Sequence, residues 1–219
     1  MTNIRGLVVI DVDSTLVKEE VIDLLGNEAG FGREIAHITE KAMNGQIDFQ
    51  EALEERVALL KGLPMTILDT VYNKIHPQAG AKELIDWLHA HHYKVGLVSG
   101  GFHETVDRLA NKLSIDYVKA NHLDISDDLL TGKLNGEIVT KEVKLRQLKE
   151  WAEENGLTME QTVAMGDGAN DIPMIQAAGI GVAFCAKEIV KKQSPFQIIK
   201  PDLRELITII EKEKSNESH

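Results

Sequence analysis

The sequence predicts an α/β protein with a doubly wound, mostly parallel sheet and a small helical domain inserted after the first strand. Three observations carry that prediction. Leu7-Val8-Val9-Ile10 is an apolar, β-branched run of the kind that forms a buried strand. From about Glu19 to Tyr72 the strand pattern stops, and only helical segments punctuated by glycines are found. Beyond Pro77 and Gly80 strands and helices alternate again.

Taken in order, the inserted segments are Glu20–Ala29, Arg33–Asn44, Phe49–Leu60 and Met65–Tyr72, separated by Gly30, Gly32, Gly45 and Gly62-Leu63-Pro64. The alternation then predicts a helix over Ala81–His91, a strand over Lys94–Val98, a helix over His103–Leu113 and a strand over Tyr117–Ala120. Residues Leu123 to Val139 read as a hairpin that turns at Thr131-Gly132-Lys133, with a second turn at Asn135-Gly136. Helix Lys141–Asn155, strand Thr162–Met165, helix Asp171–Ala178, strand Ile180–Phe184 and helix Leu203–Lys212 complete the pattern. The chain is thereby divided into an α/β core of residues 1–16 and 77–212, a helical module of residues 17–76, and a disordered tail of residues 213–219.

Composition narrows the function. A formal net charge of -11 opposes binding to a nucleic-acid backbone or an anionic membrane. A small phosphorylated substrate is compatible with that charge if a metal and a local positive group offset it. No apolar stretch approaches the ~20 residues of a membrane span, and no signal-peptide pattern opens the chain, so a cytoplasmic protein is expected. The one cysteine, Cys185, excludes an intrachain disulfide and reads as a small buried thiol. Whether the chain forms a homodimer is left open by the sequence.

Of four core strand ends, three carry residues suited to chemistry, and the one near Phe184 does not. The first strand delivers Asp11 and Asp13, two carboxylates that repel unless a cation intervenes, at the place where open α/β sheets bind ligands. The competing reading is a capped turn in which Asp13, Ser14 and Thr15 bond local backbone. The strand Lys94–Val98 delivers Ser99-Gly100-Gly101, which can present a hydroxyl and backbone N–H groups to a phosphate, or can simply be a glycine turn with Ser99 as a helix N-cap. Thr162–Met165 delivers Gly166-Asp167-Gly168-Ala169-Asn170-Asp171, a tight loop with hard oxygen ligands of the type magnesium takes. Asp11, Asp167 and a backbone carbonyl near Asp13 can form such a set. The site then needs a positive group, and Lys141 and Lys144 both qualify by helical spacing.

Within the inserted module, Phe49, Leu53, Arg56 and Leu60 share one helix face, so Arg56 interrupts an apolar stripe. A cation there needs an anion, either an internal glutamate or a substrate carboxylate. Glu19 and Glu20 stand at the start of the first inserted helix, where a glutamate is also favoured by the helix dipole alone.

Asp11-Val12-Asp13-Ser14-Thr15, Ser99-Gly100-Gly101, a downstream lysine and Gly166 to Asp171, in this order, resemble the haloacid dehalogenase superfamily of phosphatases, and within it the phosphoserine phosphatases most closely. The resemblance covers nearly the whole chain, including the helical insertion, which it identifies as a cap over a Rossmann-like core. It implies that Asp11 is the nucleophile and Asp13 the general acid and later base. It implies magnesium held by Asp11, the Asp13 carbonyl and Asp167, supported by Asp171, without choosing between magnesium and manganese. By the same resemblance Ser99, Gly100 and Gly101 seat the phosphate, Lys144 is the cation, and Asn170 binds phosphate or substrate. Glu20 is matched to the substrate ammonium, Arg56 to its carboxylate, and Met43 and Phe49 to an apolar lid. The expected activity is hydrolysis of phosphoserine; the alternatives are a related phosphomonoesterase or phosphotransferase, and a non-catalytic phosphate sensor.

Overall fold

The computed structural model describes residues 4–43 and 46–217. Its centre is β1 (Gly6–Ile10), whose every residue is buried. Both faces of this strand are covered, which is why the sequence there is continuously apolar and does not alternate. Val8 and Ile10 face one helical layer and Leu7 and Val9 the other.

After β1 the chain forms α1 (Val21–Ala29), α2 (Gly32–Met43), α3 (Phe49–Ala58) and α4 (Ile67–Tyr72), then α5 (Ala81–Ala90), β2 (Tyr93–Phe102), α6 (His103–Leu113), β3 (Tyr117–Ser126) and β4 (Leu129–Asn135). It continues through α7 (Lys141–Glu154), β5 (Thr162–Gly166), α8 (Ile172–Ala177), β6 (Ile180–Phe184), α9 (Glu188–Lys191), β7 (Phe196–Ile198) and α10 (Glu205–Glu217). The seven strands lie in the order β4-β3-β2-β1-β5-β6-β7. Every pairing is parallel except β3 with β4. From β1 the chain winds outward to β3 on one side and later outward from β5 to β7 on the other. The direction of winding therefore reverses at β1, and the crevice beyond its carboxyl end is where such a sheet accepts a ligand.

The first four helices build a core of their own. Val21, Leu25, Ile35, Leu53, Val57, Leu60 and Leu68 pack together and against Phe102, Leu123 and Leu130 of the sheet's edge. The two connections to this module run side by side: Val17 bridges Pro77, and the Lys18 N–H donates to the His76 carbonyl at 3.0 Å. The Glu19 carboxylate adds a tie, accepting the His76 backbone N–H at 2.8 Å and meeting its ring at 2.8 Å. No helix among the described residues is long and apolar enough to cross a membrane.

Several local expectations are corrected. β2 does not end at Val98 but runs to Phe102, and α6 begins only at His103, so Ser99 is not a helix N-cap. The hairpin turns at Asp127-Asp128, both with positive φ (51° and 62°), as a two-residue turn requires and aspartate tolerates. Gly132 lies inside β4 with φ 79°, where it passes close to Ala58 at the end of α3 and to Lys61 just beyond it. The short elements β7 and α9 carry too few residues to show a period. Cys185 is exposed, because the chain turns through φ 44° directly after β6 and carries its side chain outward. The tail expected from residue 213 is helical as far as Glu217, with the Ser215 hydroxyl donating to the Glu211 carbonyl at 2.9 Å; Ser218 and His219 lie outside the described residues.

Asp116, just before β3, secures the other end of the sheet. It accepts from Lys94 Nζ at 2.6 Å and from the Val95 N–H at 2.9 Å, and meets His89 Nε2 at 3.0 Å. Burial alone would raise its pKa, but these partners outweigh it and hold the carboxyl below its ordinary range. A depressed carboxyl stabilises the fold above its unfolded pKa of about 3.9 and loses that contribution as the pH falls through the folded value. Asp116→Asn is therefore expected to cost about 1 kcal/mol at neutral pH, after discounting for solvent screening, and progressively less below about pH 4. Urea unfolding at several pH values checks the convergence.

Candidate active site

The site begins where β1 stops. The Asp11 N–H donates to the Met165 carbonyl at 2.9 Å, extending the β1–β5 ladder by one residue and aiming the Asp11 side chain past the sheet's end. The chain then turns within a few residues through Ser14, whose φ of 57° is unusual for a residue with a side chain. Local bonds hold that conformation. The Ser14 N–H donates to the Glu19 carbonyl at 3.2 Å, and its hydroxyl donates to Glu20 Oε1 at 2.6 Å. The turn thus couples the strand end to the first residues of the helical module.

Lys144, in the first turn of α7, is fully buried. Its Nζ lies 2.5 Å from Asp11 Oδ1 and 2.6 Å from Asp171 Oδ1. Burial by itself would lower the lysine pKa, but Asp11 and Asp171 outweigh it and the ammonium stays charged. Lys141 is the other candidate by spacing; it is exposed and lies 3.8 Å from Glu142, so the structure gives the interior cation to Lys144.

One lysine does not neutralise what surrounds it. Carboxylate oxygens of Asp11, Asp167 and Asp171 lie within 4.8 Å of one another. Burial, then Asp171, push Asp167 up to about 6, and burial, again with Asp171, raises Asp11 well above the usual carboxylate range. Thr15, itself fully buried, donates its hydroxyl to Asp167 Oδ1 at 3.1 Å. Asp171 Oδ2 accepts the Gly168 N–H at 3.0 Å, which shapes the loop that carries Asp167 and Asn170. An all-oxygen, carboxylate-rich set with one fixed ammonium suits a hard divalent cation. These residues therefore fit the metal that the sequence resemblance implies.

Asp13 faces the same crevice from the turn. Burial, then Glu20, raise its pKa well above normal, and its Oδ1 is a buried oxygen with no hydrogen-bond partner. It looks across to Gly101, where a Cβ would stand 3.4 Å from Asp13 Oδ2. Ser99 is fully buried and its Oγ accepts the Gly101 N–H at 2.8 Å. The Phe49 ring from α3 lies over Gly100, where a Cβ would sit 3.1 Å from Cζ, so glycine lets the aromatic ring approach the backbone.

The cap residues converge above this floor. Arg56 is half-buried on α3; its Nε donates to the Ala52 carbonyl at 2.9 Å and one terminal nitrogen donates to Thr39 Oγ1 at 3.3 Å. Burial lowers its pKa, while Asp23, Glu20 and Asp13 raise it, which places those three carboxylates in its field. Among the described residues no carboxylate comes within the 4.0 Å of an ion pair, so the internal salt bridge considered for Arg56 is absent there. Met43 ends α2, but its side chain lies outside the described residues. Thr39 and Asp23 are additions that the sequence did not single out, each an ordinary helix residue until the fold supplies its partner; Thr15, read in sequence as a turn residue bonding local backbone, instead bonds Asp167 across the site.

Residues 8–176 match the haloacid dehalogenase-like hydrolases. The chain belongs to that family. It is 65% identical over 211 residues to a phosphoserine phosphatase of Streptococcus thermophilus, covering 96% of this chain and 98% of that protein. It is 43% identical to the phosphoserine phosphatase of Methanocaldococcus jannaschii, covering 94% and 98%. Among solved structures, a phospho-aspartyl intermediate analogue of phosphoserine phosphatase matches with a TM-score of 0.89 and 42% identity over 94% of this chain and 99% of that one. A substrate-bound phosphoserine phosphatase complex matches with the same score and identity over 94% and 98%.

Removing the central cation should be costly. Lys144→Met leaves Asp11 and Asp171 buried without their shared partner and is expected to destabilise the fold by about 3–5 kcal/mol, read as a fall in the urea midpoint. Lys141→Met should leave the midpoint where it is.

Proposed function

We propose that this chain is a phosphoserine phosphatase, hydrolysing O-phospho-L-serine to L-serine and phosphate through an aspartyl-phosphate on Asp11. The observation that carries the reading is the pairing of two features across one crevice: Asp11 clamped by Lys144 on the floor, and Arg56 above it with no carboxylate partner among the described residues. A phosphate at one end and a carboxylate at the other are what such a crevice complements.

In this reading Asp11 attacks phosphorus with the oxygen not engaged by Lys144. The P–O bond to the seryl oxygen breaks, and Asp13 supplies the proton that oxygen needs to leave as a hydroxyl. Asp13 is suited to start protonated, because burial and Glu20 disfavour its charge. Once deprotonated, it takes a proton from the water that attacks the aspartyl-phosphate, which returns Asp11 and releases phosphate. Ser99, Gly100 and Gly101 seat the phosphoryl oxygens, Lys144 balances their charge, and Asn170 closes the seat from the opposite loop. Magnesium, held by Asp11, the Asp13 carbonyl and Asp167 with Asp171 behind them, would supply the further positive charge that phosphoryl transfer requires. Glu20 receives the substrate ammonium, Arg56 its carboxylate, and Phe49 with Met43 excludes water. Residues 17–76 act as the cap that brings these groups over the core. The reading extends to a cytoplasmic setting, where a thiol such as Cys185 stays reduced.

Phosphate release from L-phosphoserine, with magnesium and after chelation, tests the proposal. Turnover should require the metal and disappear in Asp11→Asn, whose melting curve stays cooperative. Arg56→Ala should lose on the order of 10²-fold in kcat/KM for phosphoserine but only a few-fold for phosphoethanolamine, which has no carboxylate. Equal losses on both esters would remove Arg56 from substrate recognition, and full activity in Asp11→Asn would remove the nucleophile.

A further inference from the structure

Asn121 is a polar side chain in the interior of β3, 1% exposed, and the reaction described above makes no use of it. It stands opposite Phe102 at the place where the β2–β3 ladder loses register. Val98 pairs with Lys119 and Phe102 with Asn121, so Ser99, Gly100 and Gly101 are spread against the single residue between them. Backbone groups released by such a break still need partners at this depth. Asn121 supplies them on both sides. Its Nδ2 donates to the Gly100 carbonyl at 2.8 Å, and its Oδ1 accepts the Val139 N–H at 2.8 Å. A carbonyl on one side and an N–H on the other leave the amide only one orientation.

The consequence travels through one peptide plane. In a trans peptide the carbonyl and the following N–H point in opposite directions, so holding the Gly100 carbonyl also aims the Gly101 N–H. That N–H donates to Ser99 Oγ at 2.8 Å. With its oxygen already accepting, Ser99 turns its own hydroxyl proton elsewhere, and no protein acceptor for it is found among the described residues. The opposite end of Asn121 grips Val139, next to Thr140, which caps the helix carrying Lys144. One buried amide thus joins the Ser99 loop to the root of the helix that holds the central cation.

We infer that Asn121 is a positioning residue for phosphate: it fixes the Gly100–Gly101 peptide so that the Ser99 hydroxyl is presented as a donor to a phosphate oxygen. The inference rests on the reading of Ser99, Gly100 and Gly101 as the phosphate seat. It states that Asn121 acts through Ser99, which a residue that merely stabilises the sheet would not do.

The test is a double-mutant cycle read by calorimetric titration of inorganic phosphate in the presence of magnesium. N121D keeps an acceptor for Val139 and loses the donor to Gly100. It should weaken phosphate binding about tenfold, the loss of one hydrogen bond to a charged ligand. S99A should weaken it by a similar factor, and in the S99A background N121D should change it by less than about twofold. Multiplying losses in the double variant would show a structural role and overturn the inference, as would wild-type affinity in N121D. Circular dichroism checks folding; if N121D does not fold, Asn121→Ser takes its place in the cycle. Phosphoserine turnover is measured separately. Failed turnover with the coupling present would refute the phosphatase reading alone, whereas a wild-type protein that does not bind phosphate would overturn the seat and this inference together.

Discussion

The ammonium of Lys144, buried between the carboxylates of Asp11 and Asp171, is the contact on which the crevice at the sheet's carboxyl edge depends. It joins three elements at the carboxyl edge of the sheet: the end of β1, the first turn of α7 and the loop after β5. Without it the repulsion among Asp11, Asp167 and Asp171 would be relieved by protonation or by the strand ends moving apart, since isolated buried charges are not sustained. With it, one carboxylate oxygen of Asp11 is fixed and the other is left for chemistry. The cation is thus structural, and in the proposed function it also balances the phosphoryl charge; the remaining negative charge favours a divalent ion from solvent.

The helical module contributes the complementary constraint. Its apolar residues pack against Phe102, Leu123 and Leu130, and it is tied to the core by the paired connections at Val17 and Pro77, by backbone hydrogen bonds of Gly62 and Leu63 with Leu130 and of Met65 with Asp128, and by the Arg108–Asp69 ion pair. Ser14 spans the boundary, belonging to the Asp11–Asp13 turn and bonding Glu20. Placement of Glu20 over the floor is therefore coupled to the same turn that aims Asp13. In the functional reading, binding both ends of a zwitterionic phosphate draws on that coupling, because each end is held by a different layer of the protein.

Much of this was legible in the chain, and the exceptions have physical causes. The apolar run of β1 and the two later strand–loop junctions marked the sheet and the place of Asp11, Ser99 and Asp167, because parallel strands bury both faces and deliver side chains at one edge. The choice between Lys141 and Lys144 was not legible: both lie in one helical turn, and only the packing of α7 decides which faces inward. Gly132 drew the hairpin turn to the wrong residues, since a glycine demanded by crowding looks the same in sequence as one demanded by a turn. Asn121 stands in β3 among other polar residues, Lys119, His122 and Asp124, and in sequence looks like any of them; its meaning lies in the carbonyl of Gly100, which becomes needy only when the ladder breaks. Arg56 was visible as a flaw in an apolar stripe, but whether a protein carboxylate or a ligand answers it depended on distances across the module.

The central claim is that Asp11 carries the phosphoryl group, and trapping that species tests it most directly. Protein mixed with phosphoserine and magnesium, quenched within the first turnover and reduced with borohydride, should yield a peptide in which the side chain of Asp11 has become the alcohol of homoserine. Mass spectrometry should find that change at Asp11 alone and not in protein treated without substrate. Reduction at another residue, or phosphoserine turnover with no reducible acyl phosphate under any quench time, would contradict the account.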